Sequence, residues 1–288
     1  MMSAFEPCAA WRKGVTFRYG LFFLLSVFLL FSHSQTSSAE SLRASGCSVS
    51  TEGYLLDLSR EYEKETGVKM SVLGGGSMRG LTDLVQSKVD FAASCMGREV
   101  NDPSDLKFIP VVWDALVFIV NKSNPISNIS PQNVRDIYNG KITNWNQLGG
   151  PDLGITSFIS TPNGMSGIGQ SLSKMILNGN PVSKQPNSVV MQSSAALWEQ
   201  MVAKTPGGFA STGFASARKR DVKILKVNGI SADKKNIVSG KYPFGRPLYL
   251  VVKKDPKPEV RKFIKFVLSR KGQEFIFSYG ISPIDEVK

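Results

Sequence analysis

The stretch from Val72 to Cys95, VLGGGSMRGLTDLVQSKVDFAASC, reads as strand, glycine turn, amphipathic helix and strand. A helical crossover between two strands brings them together in parallel, which places the chain among the α/β folds. Gly74, Gly75 and Gly76 let the backbone pass close to a ligand, and Ser77 is expected at the N-cap of the helix that follows. A helix start that offers unpaired N–H groups beside a hydroxyl is an anion site in waiting.

The same alternation extends on both sides. Strands are expected at Leu42–Gly46, Lys69–Leu73 and Val89–Ala93, with helical faces at Leu55–Glu65 and Leu81–Gln86. The run VVWDALVFIVN, Val111–Asn121, is apolar enough for a strand buried on both faces. The pattern then restarts: Pro131 follows Ser130 at a helix start and Gly140 stops it. Strands near Thr156–Ser160, Ser188–Met191 and Phe209–Thr212 alternate with helices at Gln170–Leu177 and Ala195–Ala203. The chain returns through a strand at Gly245–Lys254 and ends in helices at Glu259–Leu268 and Gly272–Ser278. No repeat or low-complexity linker interrupts it. Two α/β lobes joined by two crossover strands fit this order, with a single larger doubly wound sheet as the alternative.

The N-terminus has the parts of a cleavable signal peptide. Arg12, Lys13 and Arg18 precede an apolar run from Leu21 to Phe31, and Ser37-Ser38-Ala39 supplies small residues at the cleavage point. The run is about half the roughly 20 residues of a spanning helix. Cleavage after Ala39 implies export, leaves 249 residues, and removes the single histidine, His33, together with Cys8. A mature chain without imidazole has no Ser/His/Asp triad, Cys/His dyad or histidine-ligated metal. The formal charge of +12 falls to +10 with the leader, concentrated in Arg218–Lys223 and Lys253–Lys265. Such a field suits anionic solutes or membranes; export argues against nucleic acid.

From Leu42 onward the chain resembles the phosphate-class solute-binding proteins of ABC importers. The carriers are GGGSMRG, VDFAAS, SNISPQNVRDIYNGKITNWNQLGG (Ser127–Gly150), GMSG and NIVSGKYPFGRPLYLVVKK. The resemblance implies an α/β, two-lobed type II periplasmic binding fold, each lobe a mixed, mostly parallel sheet flanked by helices, closing hingewise on its ligand. Residues 1–39 would be the signal peptide, 40–118 with the returning 246–288 the first lobe, and 119–245 the second. The implied protein is a periplasmic, non-enzymatic monomer without cofactor, metal or nucleic-acid partner. It would deliver phosphate or another small inorganic oxyanion to an ABC permease or membrane sensor. Ligand contacts are implied at Cys47, Ser48 and Val49, at Gly76 and Ser77, at Cys95, and at Gly164, Ser166 and Gly167.

Three positions depart from that pattern. Cys95 stands where the family carries an aspartate or arginine, Pro162 where it carries an arginine, and Ile168 where a threonine is common. Charge-assisted hydrogen bonds of roughly 1.5–3 kcal/mol each are absent there, so tight phosphate binding is not expected unless Arg79 or Arg98 compensates. The resemblance also puts Cys47 and Cys95 on neighbouring ligand-facing loops. Three readings stay open: a disulfide, two buried thiols acting as small apolar groups, or thiols that touch a soft ligand such as arsenite or Cu(I). A thiol oxidoreductase is the weakest alternative, because the chain has no CxxC and no convincing carboxylate pair.

Overall fold

The computed structural model describes residues 41–160, 166–182, 184–191 and 195–284. The leader, Pro162, Gly164 and Met165 lie outside the described residues. β1 (Ser41–Gly46) leads into one helical run made of α1 (Ser48–Ser50), a π-helical turn (Thr51–Leu55) and α2 (Leu56–Thr66). Then come β2 (Lys69–Gly74), α3 (Ser77–Val85), β3 (Phe91–Ser94) and the long β4 (Leu106–Asn121). A second group follows: β5 (Asn128–Ile129), α4 (Pro131–Tyr138), β6 (Thr156–Ser160), α5 (Gly167–Met175), β7 (Ser188–Met191), α6 (Ala195–Lys204) and β8 (Gly208–Gly213). Short α7 (Phe214–Ala217), β9 (Val222–Ile224), β10 (Lys226–Val227) and α8 (Lys234–Val238) precede β11 (Gly245–Lys253), α9 (Pro258–Leu268), α10 (Arg270–Ser278) and β12 (Ser282–Pro283).

The main sheet runs β2-β1-β3-β11-β4-β8-β6-β7. Its wings are parallel: β1 lies between β2 and β3, and β6 between β7 and β8. The centre is antiparallel, with β4 pairing β11 along Leu106–Ala115 and β8 along Leu116–Val120. The expected mixed α/β architecture is present. β4 belongs to both halves of the sheet, and from Val111 to Val120 only Trp113 is not buried, so the apolar run serves the core on both faces.

The family-like segment Ser127–Gly150 has a structural role. The Ser130 hydroxyl accepts from the Asn133 N–H at 3.0 Å, and Asn133 Oδ1 accepts from the Ser130 N–H at 3.1 Å. Asn144 and Gln147 repeat this reciprocal capping at a 3-10 turn. Trp145 is fully buried, donates to the Gly207 carbonyl at 3.2 Å and packs edge-on against Phe209. Ser130→Ala is expected to cost about 1 kcal/mol, the usual value of an N-cap. Denaturant unfolding should show it as a shifted midpoint with unchanged slope.

Of the four cations in the basic cluster at 218–223, Lys219 and Arg220 meet acids, while Arg218 and Lys223 donate to the carbonyls of Gly53 and Asn124. Lys219 meets Asp57 at 2.6 Å, and Arg220 meets Glu52 at 3.0 Å and the buried Glu199 at 3.2 Å. Lys257 pairs with Asp90 at 2.7 Å. The charges paired in this way contribute little to steering. No helix among the described residues is long and apolar enough to cross a membrane.

Candidate functional site

Parallel strands end at the same edge of a sheet, and the helices that follow begin there. The register of β1 sets Gly46 beside Gly74 of β2 and Ala93 of β3, so Cys47, Gly76 and Cys95 emerge together. On the other wing Ser160 pairs with Met191 at the ends of β6 and β7. A cavity of about 580 Å³ lies where these edges face each other. It is lined at the starts of four helical runs: Cys47 to Val49, Gly76 and Ser77, Ser166 to Ile168, and Ala195. Each start presents N–H groups without intrahelical partners and the positive end of a helix dipole.

The local chemistry differs at each start. Gly76 caps α3 with φ +99°, a conformation that favours glycine, so Ser77 is the first helical residue and not the N-cap expected from the sequence. The Ser77 hydroxyl instead accepts from the Cys95 N–H at 3.1 Å and lies 3.4 Å from the Cys95 sulfur. Ser166 is a true N-cap, accepting from the Gly169 N–H at 2.9 Å. Gly167 is a close approach between the wings: a Cβ there would stand 2.4 Å from Cys95 Sγ and 2.7 Å from Ser77 Oγ. Only a glycine lets α5 come this near. Glu99 and Lys174 form an ion pair between the same two segments at the surface.

Cys47 and Cys95 are both buried and unbridged. They emerge from the ends of the adjacent strands β1 and β3, and each thiol shifts the other's titration. The adjoining Cys47 thiol, the nearby Arg246 guanidinium and the Ser77 hydroxyl bring the Cys95 thiol down to about 6. Burial and the adjoining Cys95 push Cys47 well up. Of the two thiols, Cys95 is therefore the one that ionises more readily and Cys47 the one that keeps its proton. Arg246 sits directly behind. It donates to the Cys95 carbonyl at 3.2 Å and to the Ser171 hydroxyl, and meets Asp114 at 3.4 Å. Asp114 also accepts from the Ala215 N–H at 2.8 Å. Burial still raises the Asp114 carboxyl above its ordinary range, against the pull of Arg246.

Of the residues expected at the site, Cys47, Ser48, Val49, Gly76, Ser77, Cys95, Ser166 and Gly167 all line the one cavity. Gly164 lies outside the described residues. Arg79 reaches the rim, 3.7 Å from Asp83. Arg98 does not reach the cavity: its guanidinium serves the carbonyls of Leu106 and Pro103, at 2.6 and 3.0 Å. Sequence reasoning missed Ser160, Trp198 and Lys88 in the lining, and the Arg246–Asp114 pair behind it. The pair had a readable signal. Apart from Lys107 and Lys253 near strand ends, Asp114 and Arg246 are the only charges in β4 and β11, and antiparallel register sets them opposite each other. Charges so placed need partners.

The sequence profile of the PBP superfamily domain matches residues 32–271. The phosphate-binding protein PstS of Borreliella burgdorferi is 28% identical over 276 residues, covering 92% of this chain and 97% of its own. PstS of Bacillus subtilis is 25% identical over 258 residues, covering 88% and 84%. A Clostridium perfringens protein solved with bound phosphate superposes with a TM-score of 0.76 at 22% identity, covering 85% of this chain and all of its own.

Proposed function

The chain belongs to the PBP superfamily, and on that premise we propose that it is an extracytoplasmic, non-enzymatic solute-binding protein. It captures a small oxyanion of the phosphate class and passes it to an ABC permease or membrane sensor. The observation that carries this is the convergence of four helix starts, with the Ser48, Ser77 and Ser166 residues among them, on one cavity. Relatives named as phosphate-binding proteins over most of both chains support the solute class. The shared strand β4 supports a division into lobes at 40–118 with 246–288, and at 119–245, and the close approach at Gly167 supports closure over the solute.

The cavity departs from a charged phosphate site. Cys95 brings a thiolate to its floor, and Arg246 behind it is shared with Asp114. Arg79 at the rim is paired with Asp83, which also lines the cavity, so the net positive charge there comes from Lys88. Dianions are therefore held by N–H and hydroxyl donors against a local negative charge. Calorimetry on stripped protein is expected to give saturable one-to-one phosphate binding, weaker than about 1 μM. Binding of sulfate, whose own charge is fixed, should tighten as pH falls from 8 to 5, because protonating Cys95 removes an anion. Absence of binding by any tetrahedral oxyanion would remove the proposal. Sub-micromolar phosphate affinity would show that the helix starts and rim cations suffice without further charges.

A further inference from the structure

The cavity holds a pair of sulfurs that simple oxyanion capture does not use. Cys47 and Cys95 come from the ends of adjacent parallel strands, both line the cavity, and Ser77 Oγ lies 3.4 Å from one of them. Among the described residues no group of three or more His, Cys, Asp or Glu could hold a metal ion, so a closed tetrahedral centre has no ligands here. Two thiols suit a soft centre that brings its third ligand with it. A trivalent oxyacid of arsenic or antimony does so: it is pyramidal, small and neutral at pH 7, and its hydroxyl groups have the hydrogen-bonding character of an oxyanion.

We propose that the Cys47–Cys95 pair makes this cavity a covalent, reversible site for a trivalent metalloid oxyacid, with arsenous acid as its simplest ligand. The proposal rests on reading the cavity as the solute site. In the reaction, As(OH)₃ and two thiols give a dithiolate As–OH and two waters. Two As–S bonds form, two As–O bonds break, and each departing hydroxide leaves with one proton. Cys47 supplies one of these protons. Solvent supplies the other when Cys95 is ionised. Arsenic stays trivalent throughout, so no oxidant or reductant is needed. A thiolate already next to its partner is the nucleophile for the first bond, and the remaining As–OH faces Ser77 and the helix starts. The neutral ligand also escapes the repulsion that the Cys95 thiolate imposes on a dianion.

The test adds sodium arsenite to the full, reduced protein under argon. Native mass spectrometry is expected to show one arsenic per chain. Iodoacetamide should then leave both Cys47 and Cys95 unlabelled, whereas without arsenite labelling proceeds. X-ray absorption should show two sulfur neighbours. Cys47→Ser and Cys95→Ser, checked for folding by circular dichroism, should each lose affinity by about a hundredfold or more, the advantage of a second tethered attachment. Bound arsenite should also abolish the phosphate heat. Equal labelling with and without arsenite, or arsenite affinity unchanged in both variants, would overturn the proposal. So would a Cys47–Cys95 disulfide that survives reductant. Each of these could occur with phosphate binding intact, which would leave the oxyanion reading standing. Arsenite binding that does not displace phosphate would place the thiols outside the solute site and also overturn it.

Discussion

Arg246→Met is expected to destabilise the protein by about 3–5 kcal/mol, the usual consequence of removing one member of a buried ion pair. Asp114 is fully buried, and Arg246 is 5% exposed. Without the guanidinium, Asp114 keeps the Ala215 N–H but loses its countercharge. The Cys95 thiolate loses the same partner, so its titration should move up from about 6. The sign of the pH dependence follows from Asp114. A carboxyl raised in the folded state binds its proton more tightly there than when unfolded, so folded stability falls as pH rises through the raised value. Arg246→Met raises it further. Its deficit should therefore be smallest at acid pH and largest above neutrality. Urea unfolding at several pH values, with thiol titration, reads both effects. A deficit under about 1 kcal/mol, or one independent of pH, would mean that water replaces the guanidinium.

Gly167→Ala should act on binding and leave stability almost untouched. Its Cβ would meet Cys95 Sγ and Ser77 Oγ, both on short buried side chains that cannot swing aside. The start of α5 would be held back from the other wing, and anion contacts made from both sides at once would be lost. Two hydrogen bonds to a charged ligand, each worth roughly 1.5–3 kcal/mol, correspond to at least about a hundredfold in affinity. If, as proposed, the lobes close only over the solute, the wings separate in the unliganded protein; alanine is also the better helix former, so the melting temperature should stay level or rise slightly. A large loss of stability would show that this contact is a fixed part of the core.

Much of this was legible from residues alone because the informative features are local. Glycine before serine before an amphipathic run marks a helix start, and strand–helix alternation brings such starts to one edge. Ser77 was placed at the right helix start but one position out of role. Choosing between Gly76 and Ser77 as cap depends on a positive φ that no side chain announces. The conspicuous Ser127–Gly150 segment turned out to cap and pack, with none of its residues in the cavity lining. Its recognisability reflects capping geometry and a buried tryptophan. Arg246 and Asp114 each stand out as a charge within an apolar strand, but which partner each takes is a matter of register between strands more than a hundred residues apart, which local pattern does not encode. Lys88 reached the rim through the turn after α3, where its side chain direction is set by tertiary packing.

On the proposed function a small oxyanion is held at the converging helix starts. Backbone amide chemical shifts during a phosphate titration test it most directly, because an anion accepting from an N–H moves that resonance strongly. The amides of Ser48, Val49, Ser77 and Gly167 are expected to shift together, along one saturation curve that matches the calorimetric constant. Shifts confined to surface lysines, or a curve that differs between the two wings, would contradict the claim.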